Sequence, residues 1–273
     1  MEARAPAAVL LGPFGRAALS MASRAVVAHA HAELNVLLHV GGGDTAFRSG
    51  TESLPLDPEH LIVLNPWTTH AKAENAGEPT LLLSLLIDTA WLKSHGANQE
   101  AGQDIFPHRS VKVTPSIRAL AHKLVRTIQG VDALSDHAAH VGMVHELVAA
   151  VSDSYAQKES ISRVTRVDSR VRKAIAYIQQ HAAGNPDLVA VAAHAGLSRS
   201  QFFAQFKHSV GVTPQHYLDW VRLGIAVELL ADPKLALAEV AAQLGFYAPS
   251  HFTRFFTQHV AIPPSEFRRG LIA

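Results

Sequence analysis

Three histidines and a carboxylate early in the chain have the residue types that bind metals or small molecules. His29-Ala30-His31-Ala32-Glu33-Leu34-Asn35 alternates polar and apolar residues, so a strand through it sets His29, His31, Glu33 and Asn35 on one face. Pro66-Trp67-Thr68-Thr69-His70 adds a third imidazole behind a proline turn, with an indole beside it. Three chemistries fit these side chains. His29, His31 and His70 can coordinate a divalent ion with positions left open for oxygen or water. The same imidazoles, with Glu33 and with Trp67 as a stacking wall, can instead hydrogen-bond a small effector. In the third, the polar face meets water or neighbouring helices. The effector reading is favoured, with no metal, no cofactor and no catalytic residue expected. Gly41-Gly42-Gly43 is no phosphate loop, because no Gly-Lys-Ser/Thr follows; a hairpin explains it.

The elements that would position these residues read as strands. Between Ala25 and Ile87, short apolar runs (Leu34 to Val40, Leu61 to Leu64, Leu81 to Ile87) are separated by Gly, Pro, Asn and Asp, which predicts a small β-sandwich or barrel. After Phe106-Pro107 the periodicity becomes helical. Thr114-Pro115 reads as a cap with proline in the first turn, ahead of Ile117, Leu120, Ala121, Leu124, Val125 and Ile128. A second stripe holds Val141, Val144, Leu147, Val148 and Val151. Two such helices must pack on the β-domain, on each other or on a second subunit. Gln157 to Asp168, rich in Lys, Ser, Arg and Thr, reads as a linker. The expected division is 1–106, 107–167 and 168–273.

The chain has 273 residues, 48% hydrophobic and 17% charged, which is a globular composition of two-domain length. It contains no cysteine, which excludes thiolate metal sites, thiol redox sensing and cysteine nucleophiles together. Its apolar runs are too short to span a bilayer and no secretory core is evident, so a cytoplasmic protein with no membrane partner is expected. The net charge of +1 hides an asymmetry. Residues 1–158 hold 12 Lys/Arg against 15 Asp/Glu, whereas residues 159–273 hold 12 against 8, so the basic segment is the C-terminal one. Of the 17 histidines, 11 lie in the first 158 residues.

That basic segment contains an internal echo. Val191-Ala192-Ala193-His194-Ala195-Gly196-Leu197-Ser198 leads to Phe202 and Phe206, and Val240-Ala241-Ala242-Gln243-Leu244-Gly245-Phe246 leads to Phe252 and Phe256, 49 to 50 residues later. Ala at a helix crossing, Gly at a left-handed turn, then Phe at i and i+4 of the next helix is the sequence form of helix-turn-helix. Each copy is followed by a Pro-marked helix start, Thr213-Pro214 and Ile262-Pro263-Pro264.

From about Asp168 to Arg269 these residues resemble the AraC/XylS-type transcriptional regulators, most specifically in Gly245-Phe246, Ser250-His251-Phe252, Arg254-Phe255-Phe256 and Pro264-Ser265-Glu266-Phe267-Arg268, with Tyr217, Arg222, Ala226, Leu229 and Leu230 in a joining helix. Departures are Ala261 in place of a common Gly, Gly224 inside the joining helix, and Ala236 and Ala248 at cap positions. The resemblance implies two helix-turn-helix units whose second helices enter adjacent major-groove turns of duplex DNA, held roughly 34 Å apart. Phe202 and Phe206 should then be buried. The exposed reading faces would be Ser200, Gln201, Phe203, Ala204 and Lys207 in the first unit and Ser250, Thr253, Arg254 and Thr257 in the second. Arg254 is the candidate for bidentate readout of guanine, with a phosphate contact or a surface ion pair as the alternative. Phe203 and Ala204 suit thymine methyls or shape, and Arg199, Lys207, His251 and Arg268 suit phosphates.

His-x-His and Pro66 to His70 resemble the two signatures of cupin barrels, which also occur in the sensor domains of AraC/XylS-type regulators. Glu33 follows His31 too closely for the carboxylate position usual in a metal cupin. The implied fold is an N-terminal cupin-like β-barrel with following helices and a C-terminal all-α double helix-turn-helix. The implied function is a sequence-specific, effector-responsive transcriptional regulator, an activator by type. RNA polymerase is an expected partner and a homodimer an option. Rival readings are a metal-dependent cupin enzyme with a helical docking tail and a constitutive DNA-binding protein.

Overall fold

A computed structural model describes residues 8–75, 77–95, 106, 108–130, 137–155, 168–260 and 262–272. The expected linker, apart from Asp168, and Ala261 lie outside these. The N-terminal part is built from strands β1 (Ala8–Gly12), β2 (Gly15–Ala22), β3 (Val26–His29), β4 (Leu34–Gly42), β5 (Thr45–Ser49), β6 (Glu52–Leu56), β7 (His60–Leu64), β8 (His70–Lys72) and β9 (Thr80–Ile87). A short helix α1 (Thr89–Ser94) and strand β10 (Ser110–Lys112) follow. Then come α2 (Pro115–Ile128) and α3 (His137–Asp153), the helices α4 (Ser169–His181) to α10 described below, and a last strand β11 (Leu271–Ile272). Two sheets form, in the orders β10-β7-β4-β9-β2-β1-β11 and β3-β8-β5-β6.

Alternation along the strands gives the larger sheet two different faces. Ala17, Leu19, Val36, Leu38, Leu83 and Leu85 point to one side, where they share a core with α2 and α3. Arg16, Ala18 and Ser20, with Leu82, Ser84 and Leu86 and with Asn35 and Leu37, point to the other and wall a cavity. Register makes this row continuous, since Arg16 and Asn35 both pair with Leu86 across β2-β9-β4. Leu37, Phe47, Leu54, Leu56, Ile62 and Leu64 close the space between the sheets.

The apolar stripes of α2 and α3 are spent inside the chain. Ile117, Leu124, Val144, Leu147 and Val151 are fully buried in the core shared with the sheet, which selects intramolecular packing over pairing with a second subunit. The Thr114 hydroxyl accepts from the Ile117 amide at 3.2 Å and Pro115 occupies the first turn, so α2 begins for the reason its sequence gives.

The C-terminal domain holds α5 (Leu188–His194) and α6 (Arg199–Val210), the joining helix α7 (Pro214–Ala231), then α8 (Leu237–Gln243), α9 (Pro249–Val260) and α10 (Pro264–Arg269). Gly196 and Gly245 sit at φ +70° and +68°, left-handed turns that a side chain would strain. Phe202, Phe206, Phe252 and Phe256 are fully buried, each pair in its own core. Ala236 supplies no side-chain cap to α8; instead the Glu239 carboxylate accepts from its amide at 2.7 Å.

The two parts interlock in a way the sequence does not announce. The terminal β11 runs parallel to β1, Val9 is buried in the core of the second helix-turn-helix unit, and Ala30 belongs to the core of the first.

Candidate functional site

Polar side chains gather at two places: the face carrying α6 and α9, and the cavity between the β-domain and the helices. On the first, each reading helix buries its Phe pair and leaves the opposite side to solvent. Arg199, Ser200, Ala204 and Lys207 are exposed on α6, and Ser250, His251, Thr253 and Arg254 are exposed on α9, with Thr257 half-buried. The side chains of Lys207 and Arg254 make no ion pair or hydrogen bond with another described residue, the Lys207 carbonyl alone accepting from the Gly211 amide. The helix between the two units, α7, has 18 residues and is therefore about 27 Å long.

Three of the expected DNA contacts, two on the reading face of α6 and one expected at a phosphate, have partners within the chain. Gln201 closes a capping box, its Oε1 accepting from the Ser198 amide at 3.1 Å and from the Ser198 hydroxyl at 3.0 Å, which fixes the side chain and leaves its Nε2 as the group that can meet a base. Phe203 is half-buried, edge-on to Phe202, with the Arg199 guanidinium 5.1 Å above its ring, which removes it as a free reader of thymine methyls. Arg268 is no phosphate contact: it donates to the carbonyls of Leu230 at 3.2 Å and Leu235 at 2.7 Å, tying α10 to the end of α7. The hydroxyls of Thr253 and Thr257 return to the carbonyls of Pro249 and Thr253. Tyr247, 98% exposed in the turn before α9, escaped the sequence reading, although a large aromatic between Gly245 and a reading helix is itself a signal.

Behind this surface Arg222 joins α7 to the second unit. Its Nη2 donates to the Leu244 carbonyl at 2.6 Å, and its guanidinium lies 4.2 Å from the centre of Phe246 and 5.4 Å from that of Phe255. Burial lowers its pKa, partly offset by Asp219.

The cavity has a volume of about 160 Å³ and is lined from both parts of the chain. The β-domain supplies Arg16, Asn35, Ser84, His29, His31 and His70; α7 supplies His216, Trp220 and Leu223; α9 supplies His259 and Val260. His29 and His70 are paired residues of β3 and β8, with ring centres 4.3 Å apart, and the His31 ring is 5.0 Å from that of His70. Burial pushes all three imidazoles down to about 3, and their mutual repulsion adds to the shift, so they are neutral at physiological pH. Asn35 Nδ2 is 3.5 Å from His31 Nε2, and the Ser84 hydroxyl donates to Asn35 Oδ1 at 3.2 Å.

The expected continuous strand through His29 to Asn35 does not form. The chain leaves the small sheet after His29, bends through 30–33 and enters the large sheet at Leu34, so strict alternation is lost. His31 still faces the cavity, but Glu33 turns out of it, and its carboxylate accepts from Trp220 Nε1 at 2.9 Å. Trp67 is likewise no cavity wall. Its ring stacks on Tyr217 at 4.6 Å and meets Trp220 edge-on at 5.1 Å. Its amide donates to the His31 carbonyl at 2.7 Å, and its backbone takes a left-handed φ of 63° that an indole-bearing residue rarely adopts. Glu33 and Trp67 therefore bolt the histidine-bearing segment to α7. Arg16, Trp220 and His259 line the cavity without a signal that sequence spacing could carry, because strand register and domain docking bring them there.

Residues 191–270 match a helix-turn-helix domain family. The lactose operon transcription activator of Staphylococcus xylosus is 23% identical over 205 residues, 75% of this chain and 68% of that protein. The arabinose operon regulatory protein of Escherichia coli K12 is 34% identical over 105 residues, 38% of this chain and 36% of its own length. An HTH-type transcriptional activator RhaS of E. coli O139:H28 is 32% identical over 102 residues, 37% of each chain. The chain thus spans little more than a third of the last two. Among solved structures, ToxT of Vibrio cholerae has the same two-domain fold, with a TM-score of 0.58 at 14% identity over 94% of this chain and 98% of that one. A second ToxT structure, with a TM-score of 0.57 at 12% identity over 98% of this chain and 97% of that one, is of the unsaturated fatty acid bound protein.

Proposed function

We propose, on the premise that its C-terminal domain belongs to the AraC/XylS-type regulators, that this chain is a cytoplasmic, sequence-specific DNA-binding transcriptional regulator whose N-terminal barrel senses a small molecule. The observation that carries the reading is the pair of exposed helices α6 and α9, each behind a left-handed glycine turn and both mounted on α7. Arg254 is the principal base reader, and Arg199, Ser200, Lys207, Ser250 and His251 are the surrounding DNA contacts. No helix among the described residues is long and apolar enough to cross a membrane.

The cavity supports effector control rather than constitutive binding. Its charged lining consists of Arg16, Arg24 and Lys72 besides histidines, with no carboxylate, which suits an anion. Lys72 is already held by the carbonyls of Arg24 and Ala73 and by Asn75, so the guanidiniums of Arg16 and Arg24 are left for a ligand, Arg16 being the more buried of the two. Its size favours a compact acid, since drug-sized ligands need about 300 to 1,000 Å³. An occupant touching β2, α7 and the end of α9 at once has differential contacts with the docked and undocked arrangements, which is what coupling to DNA requires. RNA polymerase is the partner that would turn binding into activation. A homodimer would need a surface other than the buried stripes of α2 and α3.

Selection of bound fragments from genomic DNA tests the function. A recovered consensus with two half-sites on one face of the helix is the expected outcome; failure to enrich any sequence would remove the regulatory reading.

A further inference from the structure

The three cavity histidines share a detail beyond proximity. His29 Nδ1 lies 2.8 Å from the Val27 carbonyl, His31 Nδ1 3.1 Å from the Glu33 carbonyl and His70 Nδ1 2.8 Å from the Thr68 carbonyl. A carbonyl oxygen only accepts, so each Nδ1 carries the proton and each neutral ring offers Nε2 as a bare lone pair. One ligand nitrogen from each ring lies within 4.8 Å of the others. Among the described residues Nε2 of His29 and of His70 has no donor, and that of His31 has only the Asn35 amide at 3.5 Å, the limit of a hydrogen bond. Convergent lone pairs repel unless they share an electrophile.

We propose that His29, His31 and His70 form a three-histidine centre for one divalent transition-metal ion, with Zn²⁺ as its reference occupant and at least one coordination position open to the cavity. The donor set fits such an ion. Imidazole nitrogens suit zinc, iron, nickel or copper, whereas Mg²⁺ and Ca²⁺ require the oxygen ligands that this triad lacks. Tetrahedral bonds of about 2.1 Å place ligand nitrogens about 3.4 Å apart, so the rings need to close by little more than an ångström, within reach of side-chain rotation. The three Nδ1–H···O=C bonds are the outer support that metal-bound imidazoles use to fix tautomer and orientation. Glu33 is not needed as a ligand and is not available as one, being bound to Trp220.

Charge decides what completes the shell. Three neutral imidazoles bring no negative charge into the shell, and Arg16 lines the same cavity with Glu33 outside the lining as its nearest counter-charge, so an anionic fourth ligand, hydroxide or the carboxylate of an effector, is favoured over water alone. This second statement rests on the effector-cavity reading; the centre itself rests on the barrel residues only.

The test uses the full-length chain without a polyhistidine tag, stripped by chelator and then titrated with Zn²⁺ alone. One equivalent is expected to survive desalting, and X-ray absorption of the loaded protein should show three imidazole nitrogens. His31→Gln and His70→Gln each remove a ligand and should weaken retention by more than the roughly ten- to hundredfold lost with an outer-shell partner. Fewer than three histidines in the absorption spectrum, or unchanged zinc binding in both folded variants, would overturn the centre; should the variants not fold, the wild-type spectrum decides. Selection of bound genomic fragments, run on the same samples, separates the two claims. Enrichment of an operator without zinc binding sinks the centre and leaves the regulator, and zinc binding without any enriched fragment does the reverse.

Discussion

Replacing Arg222 by Met asks whether the second reading unit is held on the joining helix by one buried guanidinium. The bond from Nη2 to the Leu244 carbonyl, at 2.6 Å and from a charged donor, contributes about 1.5 to 3 kcal/mol. Stacking against Phe246 and Phe255 adds up to about 2 kcal/mol where water is excluded. Against this, Arg222 Nε is buried without a partner, which costs about 1 to 3 kcal/mol that Met would not incur. The methionine also keeps apolar contact with the two rings. The balance is a loss of about 2 kcal/mol from docking of α8 and α9, small against total stability but concentrated in one unit. Hydrogen exchange on the full-length chain reads it directly. Amides of α8 and α9 should exchange roughly thirtyfold faster, since about 1.4 kcal/mol is a factor of ten, while those of α5 and α6 stay near their wild-type rates. Arg222→Lys should not rescue, because a single ammonium cannot both reach Leu244 and stack on two rings. Equal acceleration in both units, or none in α8 and α9, would refute the reasoning.

The interdomain bolt predicts non-additivity: Glu33→Ala and Trp220→Phe should each lower the stability of the full chain by about 1 to 2 kcal/mol in urea unfolding, with the double variant little worse than either single one. Additive losses would mean that the bond at 2.9 Å carries no energy of its own. Arg254→Ala should weaken binding to a selected operator by about 1 to 3 kcal/mol and relax preference at one position, measured by competition among operator variants. Lys207→Ala should lower affinity on every sequence and reduce the salt slope by about one unit. In metal-free protein, His31 and His70 have folded pKa values lowered to about 3 from an ordinary 6.5, so the unfolded chain binds more protons between these limits. Stability is then full above pH 6.5 and is lost as pH falls toward 3, by up to about 1.4 kcal/mol per pH unit for each group. Unfolding midpoints between pH 7 and 5 check the sign, and His70→Asn should flatten the slope.

Elements and motifs whose cause is local were legible in the sequence. The Gly196 and Gly245 turns, the Phe pairs behind them and the start of α2 at Thr114-Pro115 all follow from residues within one or two turns of each other, and spacing alone locates them. What spacing cannot supply is the consequence of two sheets facing each other. Alternation would put Glu33 into the cavity with His31, but the chain bends between them, and the carboxylate, still 3.6 Å from His31 Nδ1, accepts instead from Trp220, 187 residues away. Arg16 meets the histidine cavity only because β2, β9 and β4 align it with Asn35 through Leu86. The loss of Arg268 as a phosphate contact has the same origin at smaller scale: its side chain found backbone partners, which composition does not show.

Hydroxyl-radical footprinting of the full-length chain on a selected operator tests the central claim most directly. Two readers on one joining helix should protect two patches on the same face of the duplex, about 34 Å or one helical turn apart, and Arg254→Ala should fade one of them only. A single protected patch, or two on opposite faces, would contradict the account.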